Sequence, residues 1–239
     1  MAGSTPNGDR LRPFVIPDHV LRVHRCLVEA GHRSLLAGGA VRDHLLERVA
    51  KDFDLATSAL PEQVDALFDK TVLVGAQFGV VRVVLEEGEV EVATFRADIG
   101  SADGRRPESV RFTDEREDAL RRDFTINGLF WDLDTEQVVD HVGGCADVEA
   151  GTIRAIGDPG ERFREDRLRM MRAVRFATVL DFPIESATWD AVVEEASSID
   201  EVSAERIRDE LEHILVSPHR HRGYQLLSDS GLMQHIFPV

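Results

Sequence analysis

The stretch Leu36-Ala-Gly-Gly-Ala-Val-Arg-Asp43, followed by Lys51-Asp-Phe-Asp-Leu55, constrains what this chain can fold into more than any other. In an extended strand successive side chains alternate faces, so Asp52 and Asp54 share one side while Phe53 and Leu55 share the other. One face is then core and the opposite face carries only carboxylates. Two like charges held together weaken a strand unless a cation neutralises them, and oxygen ligands on a rigid element suit Mg²⁺. Gly38-Gly39 suits a strand-to-helix turn whose backbone amides can approach a phosphate. A helix from about Val41 to Val49, opened by the glycines, would lead into the strand and return the chain beside the turn. Each half alone has a simpler explanation, the glycines as an ordinary turn and the aspartates as a solvated strand edge. Together they read as a nucleotide site with a catalytic metal.

Four stretches carry a family resemblance. Gly38-Gly-Ala-Val-Arg-Asp43 with Asp52-Phe-Asp54, Glu91-Val-Ala-Thr-Phe-Arg96, Arg121-Arg-Asp-Phe-Thr-Ile-Asn127 and Glu165-Asp-Arg-Leu-Arg-Met-Met-Arg-Ala-Val-Arg-Phe176 occur in order, within roughly positions 35 to 215. Together they resemble the class II tRNA nucleotidyltransferase and bacterial poly(A) polymerase family, within the nucleotidyltransferase-beta superfamily. The resemblance implies an α+β fold: a polymerase-beta-like nucleotidyltransferase head with a small mixed or antiparallel sheet and helices, then an all-α neck. It implies template-independent addition of CCA, or its terminal A, to tRNA 3′ ends from CTP and ATP, with release of pyrophosphate and Mg²⁺ as cofactor. The expected partners are tRNA or another RNA 3′ end, CTP and ATP. A poly(A) polymerase is the alternative within the family, and a non-catalytic RNA-binding module is the alternative of another class. Gly75-Ala-Gln-Phe-Gly79 before Val80-Val-Arg82 looks more like the tRNA-modifying members. The loop 97–111, with Asp103-Gly-Arg-Arg-Pro107, is tied to an A-adding step, because members restricted to CC addition tend to have it shortened.

Nucleotidyl transfer needs an activated 3′-hydroxyl, an electrophilic α-phosphorus and neutralised charge on pyrophosphate, which two Mg²⁺ ions can supply. Asp52 and Asp54 are the expected metal ligands and catalytic residues, with Glu91 as third carboxylate from a neighbouring strand. Glu89, two positions earlier, competes for that role. Gly38, Gly39, Arg42 and Arg122 match the family's nucleotide contacts. Adjacent arginines on a solvated helix are ordinarily surface charges, and the Asp-Phe-Thr-Ile-Asn match is what singles out Arg122 over Arg121. Asp123 and Asn127 are expected to brace the site or touch ribose.

The third element bears on base choice. Asp166 and Arg169, at i and i+3 of a helix, would share one face. A carboxylate accepts from the exocyclic amine of cytosine or adenine while a guanidinium donates to the unprotonated ring nitrogen beside it; guanine and uracil present the opposite pattern. The commoner meaning of Asp-x-x-Arg is a surface ion pair. Arg172 and Arg175 continue in three-residue steps and match family nucleotide contacts. Glu205 to Leu215 resembles a supporting helix, with Ile207, Leu211, Ile214 and Leu215 as its buried stripe.

The net charge of −16 sits awkwardly with RNA, whose affinity comes from phosphate contacts. Arginines nevertheless cluster at 105–122 and 154–175, while acid concentrates in Glu185 to Glu212. Lysine occurs only at 51 and 70. Cys26 and Cys145 have no Cys-x-x-Cys spacing and read as reduced, buried thiols. No run has the length of a membrane span and no signal pattern opens the chain, so a cytoplasmic protein is expected.

Along the chain, residues 1–13 read as a flexible leader, 14–157 as the head, and 158–239 as the helical neck and the start of a body domain. The end at Ile236-Phe-Pro-Val239 reads as truncation. Helices are expected over 18–30, from Pro61 and over 114–122. Strands are expected over 72–74, 80–85, 90–95, 138–140 and 152–155, with Glu87-Gly88 as a hairpin turn and 97–108 as a mobile loop.

Overall fold

A computed structural model describes residues 13–73, 78–100 and 109–237. The leader apart from Pro13, the Gly75-Ala-Gln segment and Asp103-Gly-Arg-Arg-Pro107 lie outside the described residues. The chain divides into two compact units.

The first unit takes residues up to Asp98, then Ser109–Arg122 and Ile126–Val148. It contains α1 (Asp18–Glu29), β1 (Ser34–Ala37), α2 (Gly39–Leu45), β2 (Asp54–Thr57), α3 (Pro61–Leu67), β3 (Thr71–Val72), β4 (Val80–Leu85), β5 (Gly88–Thr94), β6 (Arg96–Ile99) and β7 (Ser109–Phe112). After these come α4 (Glu115–Leu120), β8 (Leu129–Asp132), β9 (Gln137–Asp140) and α5 (Gly144–Ala150). Seven strands form one sheet in the order β3-β4-β5-β2-β1-β8-β9. Neighbours are antiparallel except β2 and β5, which run parallel. Every residue of β1 is buried, and Leu35, Leu36, Leu55, Val92 and Phe130 are core. Aromatic rings fix the N-terminal segment to α2: Phe14 stacks on His44 with centroids 3.9 Å apart, and Trp131 meets both edge-on.

Several elements depart from the sequence expectations. The helix after the glycines begins at Gly39 and stops at Leu45, because Glu47 takes a left-handed backbone (φ 54) and turns the chain out. The hairpin turn is Glu86-Glu87, and Gly88 is already paired with Leu85. The expected loop 97–108 begins inside β6 and is followed at once by β7. Strand β8 and helix α5 were not expected, whereas Thr152 to Ala155 makes only isolated bridges.

The second unit includes Asp123–Thr125 and the chain from Glu149 onward. It is helical: α6 (Pro159–Glu165), α7 (Leu168–Leu180), α8 (Ser186–Glu195), α9 (Ala204–Leu215), α10 (Arg220–Asp229) and α11 (Leu232–Ile236). Asp158 caps α6 by accepting from the Glu161 amide at 2.8 Å, with Pro159 at the first helical position. Helix α7 is the axis, with Leu168, Met170, Met171, Ala173, Val174 and Ala177 buried. Gly223 of α10 lets three helices meet closely, since a Cβ there would fall 2.5 Å from Ile214 Cγ2 on α9 and 2.7 Å from Thr178 Oγ1 on α7. Among the described residues no helix is long and apolar enough to cross a membrane. Cys26 and Cys145 are unpaired and half-buried rather than fully buried.

Candidate active site

In the first unit the site starts at Gly38. Its backbone (φ 70, ψ −122) is open to glycine and strained for other residues, and its amide donates to Leu129 O at 2.9 Å, tying the turn to β8. Helix α2 follows at once, so its first amides have no carbonyl partner within the helix. Asp54 opens β2 beside Ala37, the last residue of β1. The parallel register Leu55↔Val92, Ala56↔Ala93 sets Asp54 level with Glu91 on β5. Glu89 instead faces Val84 and ion-pairs with Arg82 at 3.5 Å.

Asp52 is not in the strand, as the alternation argument requires, but in the irregular approach to it. It nevertheless acts on Asp54. The Asp54 carboxyl is pushed up to about 6 by lost hydration, then by the charges of Glu91 and Asp52, with Arg122 opposing. The residue keeps contact with solvent. A carboxyl with two carboxylate neighbours is a place where a cation is wanted.

Two guanidiniums flank the glycine turn. Arg42 donates to Asp43 (2.7 Å) and to Asn127 Oδ1 (2.7 Å). Arg122 donates to Asp118 (2.9 Å), stacks over Phe130 (4.8 Å), and lies so close to Gly38 that a Cβ there would sit 3.1 Å from Nη1. Asn127 therefore braces Arg42.

Among the described residues no three His, Cys, Asp or Glu side chains form a ready metal cage. Mg²⁺ does not need one, since it keeps several waters and is held by one or two carboxylates together with substrate phosphates. The hard oxygen donors of Asp52 and Asp54, and the raised Asp54 carboxyl, fit that ion.

In the second unit the structure corrects the expected placement of Asp166 and Arg169 on one helix. Asp166 and Arg169 do not share a helical face, because the helix breaks between them: α6 ends at Glu165 and Asp166 is extended (φ −146, ψ 104). The Asp166 carboxylate accepts from the Leu168 amide at 3.1 Å, as a residue capping α7 does, and from Arg206 of α9 at 2.9 and 3.1 Å. Arg169 pairs with Glu165 at 3.0 Å. Arg172 holds Asp123 through Nε at 2.7 Å and Nη2 at 2.6 Å, and the Asp123 charge is the main reason its guanidinium binds its proton more firmly. Arg175 donates to Glu210 and lies 4.1 Å over Phe176. The stripe expected on α9 is shifted: Glu210 is buried, and Leu215 is 58% exposed.

Sequence reasoning missed Asp118, Arg206 and Glu210, each a partner of a predicted site residue. Asp118 lies four residues before Arg122, a spacing that brings them together on a helix. Arg206 and Glu210 carry no local signal.

Known proteins resemble this chain over most of its length. The family described as "Poly A polymerase head domain" matches residues 34–154, and the one described as "Probable RNA and SrmB- binding site of polymerase A" matches residues 181–239. A CCA-adding enzyme of Lactobacillus johnsonii is 42% identical over 209 residues, 87% of this chain and 52% of that protein. One from Bacillus velezensis is 44% identical over 211 residues, 88% of this chain and 53% of that protein. Among solved structures, the Bacillus stearothermophilus CCA-adding enzyme in complex with CTP matches with a TM-score of 0.86 at 39% identity, covering 94% of this chain and 54% of its own. The chain spans about half the length of the curated relatives it matches.

Proposed function

The chain belongs to the poly(A) polymerase head-domain family, and from that membership we propose that it supplies the catalytic part of a template-independent RNA nucleotidyltransferase that adds CCA, or its terminal A, to tRNA 3′ ends. The observation that carries the reading is Asp54, crowded by Asp52 and Glu91 at the foot of a glycine turn flanked by Arg42 and Arg122. On this reading residues 14–157 are the head and 158–239 the neck and start of a body. CTP, ATP and tRNA are its partners and the cytoplasm its location; the Bacillus stearothermophilus relative was solved with CTP.

Held by Asp52 and Asp54, Mg²⁺ would offset the triphosphate charge and favour the ionised 3′-hydroxyl. The remaining work falls to the chain's own groups. Gly38 and Gly39 let the backbone amides of the turn reach phosphate oxygens. Arg42 and Arg122 bind the triphosphate, where two charged donors also stabilise the departing pyrophosphate. Glu91 adds a third negative group beside Asp54. Asp166 accepts from the exocyclic amine of cytosine or adenine, and Arg169, leaving Glu165, donates to the ring nitrogen. Arg172 and Arg175 complete the nucleotide contacts.

The test supplies the protein with Mg²⁺, each labelled nucleoside triphosphate, and tRNAs ending before CCA, after C, and after CC. C should enter the first two acceptors and A the third. A run of A on any RNA 3′ end would replace the reading by poly(A) polymerase. No incorporation at saturating RNA, with RNA binding retained, would overturn it in favour of a non-catalytic module.

A further inference from the structure

Asp118 is 1% exposed, the most deeply buried carboxylate residue among those described; Asp132, Asp147, Asp123 and Glu210 stand at 6–8%. Burying a carboxylate is costly unless its oxygens are fully engaged. Those of Asp118 are. Oδ2 accepts from Arg122 Nε (3.2 Å) and Nη2 (2.9 Å). Oδ1 accepts from Arg121 Nε (3.0 Å) and Nη2 (2.9 Å), and from the Arg96 amide (3.2 Å). Helix α4 does not need it, since Asp114 already caps that helix through the Arg116 and Glu117 amides.

What Asp118 does need explaining is Arg122. Its Nε and Nη2 edge is spent on Asp118, its plane rests on Phe130, and Nη1 reaches Asn127 O (3.4 Å) against Gly38. Three contacts from three elements thus fix one planar group, leaving Nη1 turned to the glycine backbone. Because Asp118 is shared with Arg121, it orients Arg122 without cancelling its full charge. We propose that Asp118 is a positioning residue that presents Arg122 Nη1 at the Gly38 turn to the phosphates of a nucleoside triphosphate. The inference rests on the reading that Arg122 contacts that triphosphate.

Equilibrium binding of CTP to the protein, with Mg²⁺ and without RNA, tests it in four variants. Asp118→Asn keeps the shape and loses the charge, and should weaken CTP about ten-fold. In an Arg122→Gln background the same change should weaken CTP less than about two-fold, because the group it positions is gone. A merely structural Asp118 would weaken CTP equally in both backgrounds, and that result would overturn the inference. Asp118→Asn with Arg121→Gln preserves the local charge balance; should the single variant not fold, this one carries the same ten-fold expectation, and unchanged CTP binding in it refutes the role. If Arg122→Gln leaves CTP binding intact, the triphosphate reading of Arg122 fails and takes the inference with it, an outcome distinct from failure at Asp118 alone.

Discussion

Gly223→Ala exposes how tightly the second unit is built. In an exposed helix interior this change gains about 1 kcal/mol of helix propensity. At Gly223 the added Cβ would meet Ile214 Cγ2 at 2.5 Å, Thr178 Oγ1 at 2.7 Å and Thr178 Cγ2 at 3.0 Å, all well inside the 3.5–4.0 Å at which carbon atoms attract. Neither neighbour yields easily: both are fully buried, and the Thr178 hydroxyl donates to Val174 O at 2.7 Å. Rotating it away would strand a buried donor, which costs about 1–3 kcal/mol, on top of about 1–3 kcal/mol for overpacking. Set against the propensity gain, the net is a loss of about 3 kcal/mol. In a protein of this size that lowers the melting temperature by roughly 6–12 °C. Urea unfolding and thermal melting measure it directly. The companion is Ile214→Ala, which removes the nearest atom: the double variant should be less destabilised than the sum of the singles by more than about 0.5 kcal/mol. A Gly223→Ala protein as stable as its parent, or strictly additive behaviour, would show that α7, α9 and α10 part easily and would refute the packing argument.

Asp54→Asn should lower nucleotide incorporation by at least about a hundred-fold with the fold intact, since it relieves a charge cluster; near-normal incorporation by the folded variant would remove Asp54 from the chemistry. Glu91→Gln should be crippling and Glu89→Gln nearly harmless in the same assay, and the reverse would mean that Glu89 is the third carboxylate. Asp166→Ala should weaken rejection of UTP and GTP, and Arg169→Ala should weaken CTP and ATP together; equal losses for all four triphosphates would make both residues structural. Burial lowers the proton affinity of His44 below its ordinary value of 6.5. The folded state therefore holds fewer protons than the unfolded chain, and stability should fall as pH drops through about 6.5. His44→Phe, which keeps the stack with Phe14, should flatten that part of the melting profile, and an unchanged profile would exclude His44 as its source.

The legible parts of this sequence were those governed by short-range rules. Two glycines between a buried tetrapeptide and a helix, and an aspartate followed by Leu-Ala-Thr, led to the turn and to β2 because turn chemistry and strand alternation act over a few residues. Strand β8 escaped because Leu-Phe-Trp is apolar throughout and shows no alternation to distinguish it. Asp166 was misjudged for a different reason. Leu168, Met171 and Val174 keep a helical period that extends smoothly backward, while the break depends on a carboxylate turning to cap the Leu168 amide. Asp118 and Glu210 look like solvated acids on amphipathic helices: the arginines of Asp118 are its local i+3 and i+4 neighbours, a spacing that does not reveal burial, and those of Glu210 are brought by the fold. Leu215 and Glu210 exchanged the places that periodicity gave them for the same cause.

Four of the arginines named for nucleotide contact are held by a carboxylate that a ligand would have to displace: Arg42 with Asp43, Arg169 with Glu165, Arg172 with Asp123 and Arg175 with Glu210. A ligand that uses them must compete with resident counter-ions, so recruitment is an exchange of anions instead of simple attraction. Isolated phosphates along an RNA backbone are poor competitors, since each brings one charge against a preformed pair. A triphosphate, with several charges on adjacent phosphorus atoms, can compete at more than one pair at once. The acid excess that made −16 look unsuited to nucleic acid thereby becomes a filter, muting indiscriminate polyanion binding while leaving a concentrated charge able to displace it.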